Sequence, residues 1–233
     1  MDVENLYLPE LIETPYVTKK LWDNKEIDCI EVEISGDEYG LCEQTAPLMW
    51  TNEKSQTLYN TGCGSTKSDP YKPIRTGLLG QMAVGKVFGE PVDLTYRKHG
   101  DQYDILFGTY LVDVKCSMQK NNCVLIYRRS ENGSEIPLNK DIYIFSYVKY
   151  KEDQLAKKAT IGIAGFVFKE DLLDHKEKLG RVRNSRHYNI EVLWGEMRSI
   201  SKLLYAKEKY FGRMHKKLNK NHLEFKNDLL KMT

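Results

Sequence analysis

The sequence predicts a mixed α/β (α+β) fold, with a central mixed β-sheet flanked by helices. Two observations carry this. One segment, Thr76 to Phe88, has apolar residues at helical spacing, at 79, 83, 84, 87 and 88. A run of short apolar or alternating segments follows it, as a sheet requires. An N-terminal extension (1–75) and a basic C-terminal helix (199–233) are expected on either side of a core at 76–198.

In chain order, Ile27 to Glu33 alternates weakly and reads as a strand. Residues 51–75 are rich in Thr, Ser, Asn, Gly, Lys and Pro and read as a long polar connection. The helix after it takes Thr76 as its cap. Its glycines, 77, 80 and 85, cost helix propensity and let it lie close against a sheet. Val92 to Tyr96 reads as a strand, and His99-Gly100-Asp101 as a turn. Tyr103–Phe107 and Tyr110–Cys116 read as a hairpin closed by Gly108-Thr109, with glycine at the first central position. Further strands are expected at 122–128, 142–150 and 160–168, a short helix at 169–179, and a last strand at 188–193. From Ser199 to about Lys231 the pattern is helical. Leu204, Phe211, Leu218 and Phe225 recur every seven residues, as a packing face or a dimer seam.

The 233 residues are 41 % apolar and 29 % charged, which excludes collagen-like, wholly disordered and coiled-coil-only chains. No apolar run reaches membrane-spanning length, so no membrane association is expected. The five scattered cysteines, an odd number, point to a reducing, cytoplasmic location, and the acidic N-terminus does not read as a secretory signal. The net charge of +2 hides polarity. Residues 1–60 hold 13 acidic and 4 basic side chains, whereas residues 198–233 hold 10 basic and 3 acidic. A polarised chain suits a polyanionic partner, and a solvated basic helix is the plainer alternative. There is no GxxxxGK[ST] phosphate loop, paired CxxC or helix-turn-helix pattern.

The hairpin carries the chemistry. If Gly108-Thr109 is the turn, Phe107 faces Tyr110 and Asp104 falls opposite Asp113. Side chains alternate, so Asp113 and Lys115 share one face, while Ile105, Phe107, Val112 and Val114 share the other, apolar one. Two carboxylates then lie roughly 5 Å apart with a lysine beside them. Opposed like charges are destabilising unless something compensates, and a divalent cation does so. With a water held by Lys115, this is a kit for metal-assisted phosphodiester hydrolysis. A surface hairpin with both carboxylates solvated and one paired to Lys115 is the other reading, and spacing alone does not choose.

Gly77-x-x-Gly80-Gln81-x-Ala83, Asp104 and Asp113-Val114-Lys115 together resemble the PD-(D/E)XK nuclease superfamily, with its restriction-endonuclease-like core and its lambda-exonuclease-like phage and bacterial members. Asp141–Phe145, Ile161–Val167 and Tyr188 through Ile200 resemble later segments of that family, so the likeness covers about residues 75–204. It implies a Mg²⁺ (or Mn²⁺) deoxyribonuclease. Asp104 and Asp113 would bind the metal, with the Val114 carbonyl as a backbone ligand, and Lys115 would orient or activate the water. Gln81 stands where the family's helix usually has Glu, and its amide oxygen can ligate a metal but not act as a base. Tyr103 replaces the proline of the motif's name.

Arg97, Lys98 and His99, then Lys120, and then Arg181, Arg183 and Arg186 are candidate phosphate contacts. Cys116 is expected to be a buried thiol on the apolar face. Tyr143, Tyr147 and Tyr150 are expected to pack in or beside the sheet. The expected partner is DNA, with a second copy of the chain or a phage or host replication-recombination protein alongside. The location for a phage-encoded chain would be host cytoplasm. The competing readings are a nuclease-like fold kept as a DNA- or protein-binding module, supported by Gln81, and a soluble interaction protein.

Overall fold

The computed structural model describes residues 6–12, 15–22, 25–50, 69–95, 103–118, 123–129, 134–149, 155–173, 177–179 and 188–212. The strands are β1 (Leu6–Tyr7), β2 (Val17–Trp22), β3 (Lys25–Ser35), β4 (Val92–Asp93), β5 (Ile105–Phe107), β6 (Tyr110–Met118), β7 (Cys123–Arg129), β8 (Ile142–Val148), β9 (Lys158–Phe168), β10 (Glu177–Leu179), β11 (Tyr188–Leu193) and β12 (Arg198–Ser199). The helices are α1 (Gly36–Trp50), α2 (Lys72–Phe88), α3 (Lys169–Leu173) and α4 (Ile200–Phe211).

The central seven-stranded sheet runs β2-β3-β9-β8-β6-β5, with β12 paired to β9. It is mixed, because β6 and β8 are parallel and their neighbours antiparallel. Strand alternation divides its side chains between two cores. On β8, Ile142, Ile144 and Val148 pack with α1, α2 and α4. Tyr143, Phe145 and Tyr147 point the other way, into a cluster with Ile126 of β7 and Ile190 and Val192 of β11. Those two strands belong to a second sheet, β10-β11-β7, and Leu172 of α3 joins the same cluster.

The central helix lies where its glycines allow. A Cβ on Gly80 would come within 2.6 Å of Cys116 Cβ and 2.7 Å of Ser146 Oγ, and one on Gly85 within 2.5 Å of Val92. A Cβ on Gly77 would meet nothing, so that glycine has no such role. Gly89, at φ 65°, ends the helix in the left-handed conformation.

Several expectations are corrected. The helix begins at Lys72 with Pro73 in its first turn, so Thr76 is buried inside it rather than capping it. Residues 17–50 are not an appendage to the core: β3 pairs with β9, and Ile30, Val32, Ile34 and Tyr39 share a core with Leu79 and Val84. The α1 helix had no clear signal, with Gly36, Gly40 and Pro47 in and around it. The helix after Phe168 stops at Leu173, and Glu177–Leu179 forms a strand with β11. The C-terminal helix ends at Phe211 on Gly212 rather than running on to Lys231. Leu204 and Phe211 pack on the core, while Leu218 and Phe225 lie outside the described residues. Cys116 is half-buried rather than fully buried.

One buried ion pair ties α4 to the end of α2. Lys207 is fully buried, and its ammonium meets Glu90 at 2.8 Å and donates to the Phe88 carbonyl. Lys207→Met strips the buried Glu90 of its ammonium and is expected to cost about 3–5 kcal/mol in urea denaturation, while Lys207→Met with Glu90→Gln costs less than Lys207→Met alone. Equal losses in the two would show that the carboxylate does not depend on the lysine.

Tyr147 lies across Gly162, where a Cβ would come within 2.3 Å of its ring, and its hydroxyl meets Cys29 Sγ at 3.2 Å. Burial pushes the Cys29 thiol up to about 11. The raised value means that the folded state favours the thiol. That contribution is complete below the unfolded value of about 8.5 and is lost as pH rises through about 11. Alkylation at pH 8 should therefore spare Cys29 until denaturant is added, and rapid labelling of the folded chain would overturn this.

Candidate metal-assisted hydrolytic site

The hairpin has the predicted register. Ile105 pairs with Val112, Leu106 with Leu111 and Phe107 with Tyr110, and Gly108 has φ 64°. Asp104 sits just before β5, where the ladder breaks. Its N–H reaches the Val112 carbonyl at 2.9 Å, and its carboxylate accepts the Val114 N–H at 2.6 Å. A side chain thus replaces the backbone partner that β5 no longer supplies. In a ladder the N–H and C=O of one residue point the same way. The Val114 carbonyl therefore faces the same edge as Asp104.

Asp113 and Lys115 project from the face of β6 opposite Val112 and Val114, which are in the helix-covered core. Lys115 Nζ meets Asp113 Oδ2 at 2.7 Å. Burial works against the Lys115 charge, but the charges of Asp113 and Asp104 outweigh it and hold the ammonium above the usual lysine range. Both carboxylates therefore act on one cation. The lysine side chain keeps 37 % of its surface, so solvent screens the pair and its role is more positional than stabilising.

Asp113 Oδ2 is taken by the Lys115 ammonium at 2.7 Å. The buried Gln81 Oε1 of α2 and Ser117 Oγ of β6 have no hydrogen-bond partner among the described residues. Gln81 follows Gly80, the residue pressed against Cys116, so its helix lies over the Val112–Val114–Cys116 face of β6 rather than the face that carries Asp113 and Lys115. Unsatisfied buried oxygens are costly, and water or an ion commonly relieves them. Two carboxylates and a strand-edge carbonyl are hard oxygen donors of the kind Mg²⁺ takes. These residues fit a divalent cation. Among the described residues, no group of three or more His, Cys, Asp or Glu side chains converges as a fuller metal cage.

Ser117 and Tyr143 were missed in the sequence. Ser117 follows from the alternation that joins Asp113 to Lys115. Tyr143 lies level with Asp113 because β8 runs parallel to β6, which local sequence does not announce. Arg97, Lys98, His99, Lys120, Arg181, Arg183 and Arg186 lie outside the described residues, as does Tyr150. Among the described residues no helix is long and apolar enough to cross a membrane.

A raised lysine value means that the folded state favours the ammonium. The contribution is complete below the unfolded value of about 10.4 and is lost as pH rises through the higher folded value. At neutral pH Lys115 is therefore a proton donor rather than a base. In a side-chain NMR titration, Lys115 should titrate above the other lysines, and Asp113→Asn should bring it back toward them. A titration unchanged by Asp113→Asn would show that the carboxylate does not govern it.

Compared with protein-family models, curated proteins and solved structures, the chain matches none of them.

Proposed function

We propose that this chain is a metal-dependent nuclease that hydrolyses DNA phosphodiester bonds, with a restriction-endonuclease-like core. The observation that carries the reading is the Asp113–Lys115 pair at 2.7 Å, on either side of Val114, whose N–H holds the Asp104 carboxylate at 2.6 Å. The order of elements supports it. A helix precedes the hairpin, and the Asp113-Val114-Lys115 strand gains a parallel neighbour next. These are the parts in which the sequence resembles the PD-(D/E)XK superfamily.

Asp104, Asp113 and the Val114 carbonyl would hold Mg²⁺ or Mn²⁺. The cation would supply a Lewis acid and an acidified water. Asp104 has one oxygen fixed on the Val114 N–H, which sets the direction of the other. Lys115 is paired with Asp113, and a ligand drawing on that carboxylate would release the ammonium toward a water or a phosphoryl oxygen. As an ammonium it positions the water and stabilises charge growing on the phosphate.

Gln81 favours a second reading, a nuclease-like fold that binds DNA or protein without cutting. The test is incubation of the full chain with linear and circular, single- and double-stranded DNA, in Mg²⁺, Mn²⁺ or EDTA. Cutting that needs metal, falls by about 10³-fold or more in Asp113→Ala and falls comparably in Lys115→Ala is the expected result. No cutting of any substrate, with DNA binding retained, would give the reading to the binding module. Comparison of linear with circular substrates sorts exonuclease from endonuclease.

A further inference from the structure

Asp104 is held at three points, and only two of them lie on β6. Its N–H reaches the Val112 carbonyl at 2.9 Å and its carboxylate takes the Val114 N–H at 2.6 Å, whereas its carbonyl accepts the Asp93 N–H at 3.1 Å. In a regular strand the N–H and C=O of one residue point to the same side. At Asp104 they reach different neighbours, so the chain turns there between β6 and β4. The third contact therefore helps to decide how the residue is rotated.

Asp93, which makes that contact, is fixed from the other side. β4 is two residues long and pairs with β1, Val92 facing Tyr7 and Asp93 facing Leu6. β1 leads into a segment that is tied to α2 in turn. The Ile12 N–H bonds the Lys86 carbonyl at 3.1 Å, and Pro9 lies so close to Gly85 that a Cβ there would come within 3.0 Å of its ring. The side chain of Asp93 completes the arrangement. It is 2 % exposed, and its Oδ1 accepts the Thr95 N–H at 2.9 Å. This contact, two residues ahead, is that of an Asx turn. It pins the chain as it leaves β4 and so keeps the Asp93 N–H on the Asp104 carbonyl. A buried carboxylate is costly, and placing one next to Asp104 adds like charge. A local cost of that kind is expected where a site governs the choice of residue.

We infer that Asp93 is a positioning residue of the candidate site. Through its main chain, and through the turn that its side chain closes, it sets the rotation of Asp104 and hence the direction of the carboxylate that would take the cation. In this role it touches neither cation nor substrate. The inference rests on the nuclease reading for the use of Asp104 and adds the residue that aims it.

The test compares two variants of the full chain. Asp93→Ala loses the acceptor, whereas Asp93→Asn keeps an amide oxygen for the Thr95 N–H. Mn²⁺ titration followed by electron paramagnetic resonance, without DNA, is expected to show affinity about 10–100-fold weaker in Asp93→Ala and close to the parent in Asp93→Asn. The Val114 amide resonance reports its bond to the Asp104 carboxylate directly. It should move in Asp93→Ala and return in Asp93→Asn. A loss of Mn²⁺ affinity that Asp93→Asn shares in full would overturn the inference, because charge rather than the turn would then matter. So would an Asp93→Ala chain that binds Mn²⁺ as the parent does with the Val114 resonance in place. Hydrogen exchange on the parent serves where Asp93→Ala does not fold. The Thr95 and Val114 amides are expected to be protected alike, and a Thr95 amide that exchanges far faster would show that the turn opens without disturbing Asp104. A parent that binds no Mn²⁺ counts against the nuclease reading, whereas the Val114 resonance and the exchange rates judge Asp93 whether or not the chain cuts DNA.

Discussion

The hydrogen bond from the Val114 N–H to the Asp104 carboxylate governs the geometry of the candidate site. It falls where β5 stops accompanying β6. A buried N–H at that point needs a partner, and backbone is no longer there to provide one. Asp104 supplies it, which fixes the carboxylate against β6 two residues from where the ladder ends. Asp113 follows from alternation on the next strand. The two like charges stand near each other because one of them is performing a backbone duty. Asp104 is therefore bound up with the hairpin's stability as well as with its chemistry, whereas Asp113 is held by its pair with Lys115.

The two faces of β6 carry opposite demands. Val112 and Val114 are sealed beneath α2, and Cys116 lies under Gly80 of that helix, at a distance only a glycine permits. Asp113, Lys115 and Ser117 face the other way, and the buried Ser117 hydroxyl has no hydrogen-bond partner among the described residues. A strand pinned this firmly on one face cannot rotate to relieve the other. The close packing is what makes the unsatisfied groups durable. That combination is expected where a binding or catalytic role has overruled local stability.

The hairpin was legible because its information is local. A glycine at the turn sets the register, and the register sets which side chains oppose and which share a face. The strands at β8, β9 and β11 were legible for the same reason, as short apolar runs with clear ends. The α1 helix was not, because two glycines and Pro47 hide a segment that tertiary contacts with α2 make helical; Lys86 of α2 bonds Glu38 at 2.7 Å. Nor could composition show that an acidic N-terminal region supplies β3, a strand inside the sheet between β2 and β9. In the stretch of β3 that pairs with β9, the acidic residues Glu31 and Glu33 alternate with Ile30, Val32 and Ile34, and Glu31 is held by Lys20 and Lys149. At the candidate site the parallel pairing of β6 with β8 was also invisible, because sequence-distant strands share no turn.

Charge gives Gln81 a meaning on the nuclease reading that is more than a defect. Asp104, Asp113 and Lys115 sum to one negative charge while the lysine keeps its proton, as its neighbours ensure. One divalent cation turns that into one positive charge, which suits a phosphodiester monoanion. A glutamate at 81 would leave the occupied site neutral and would call for further positive charge before an anionic substrate could settle. A glutamine avoids that charge. The residue that departs from the familiar pattern therefore matches a site built around a single cation, with Lys115 as the remaining positive partner of the phosphate.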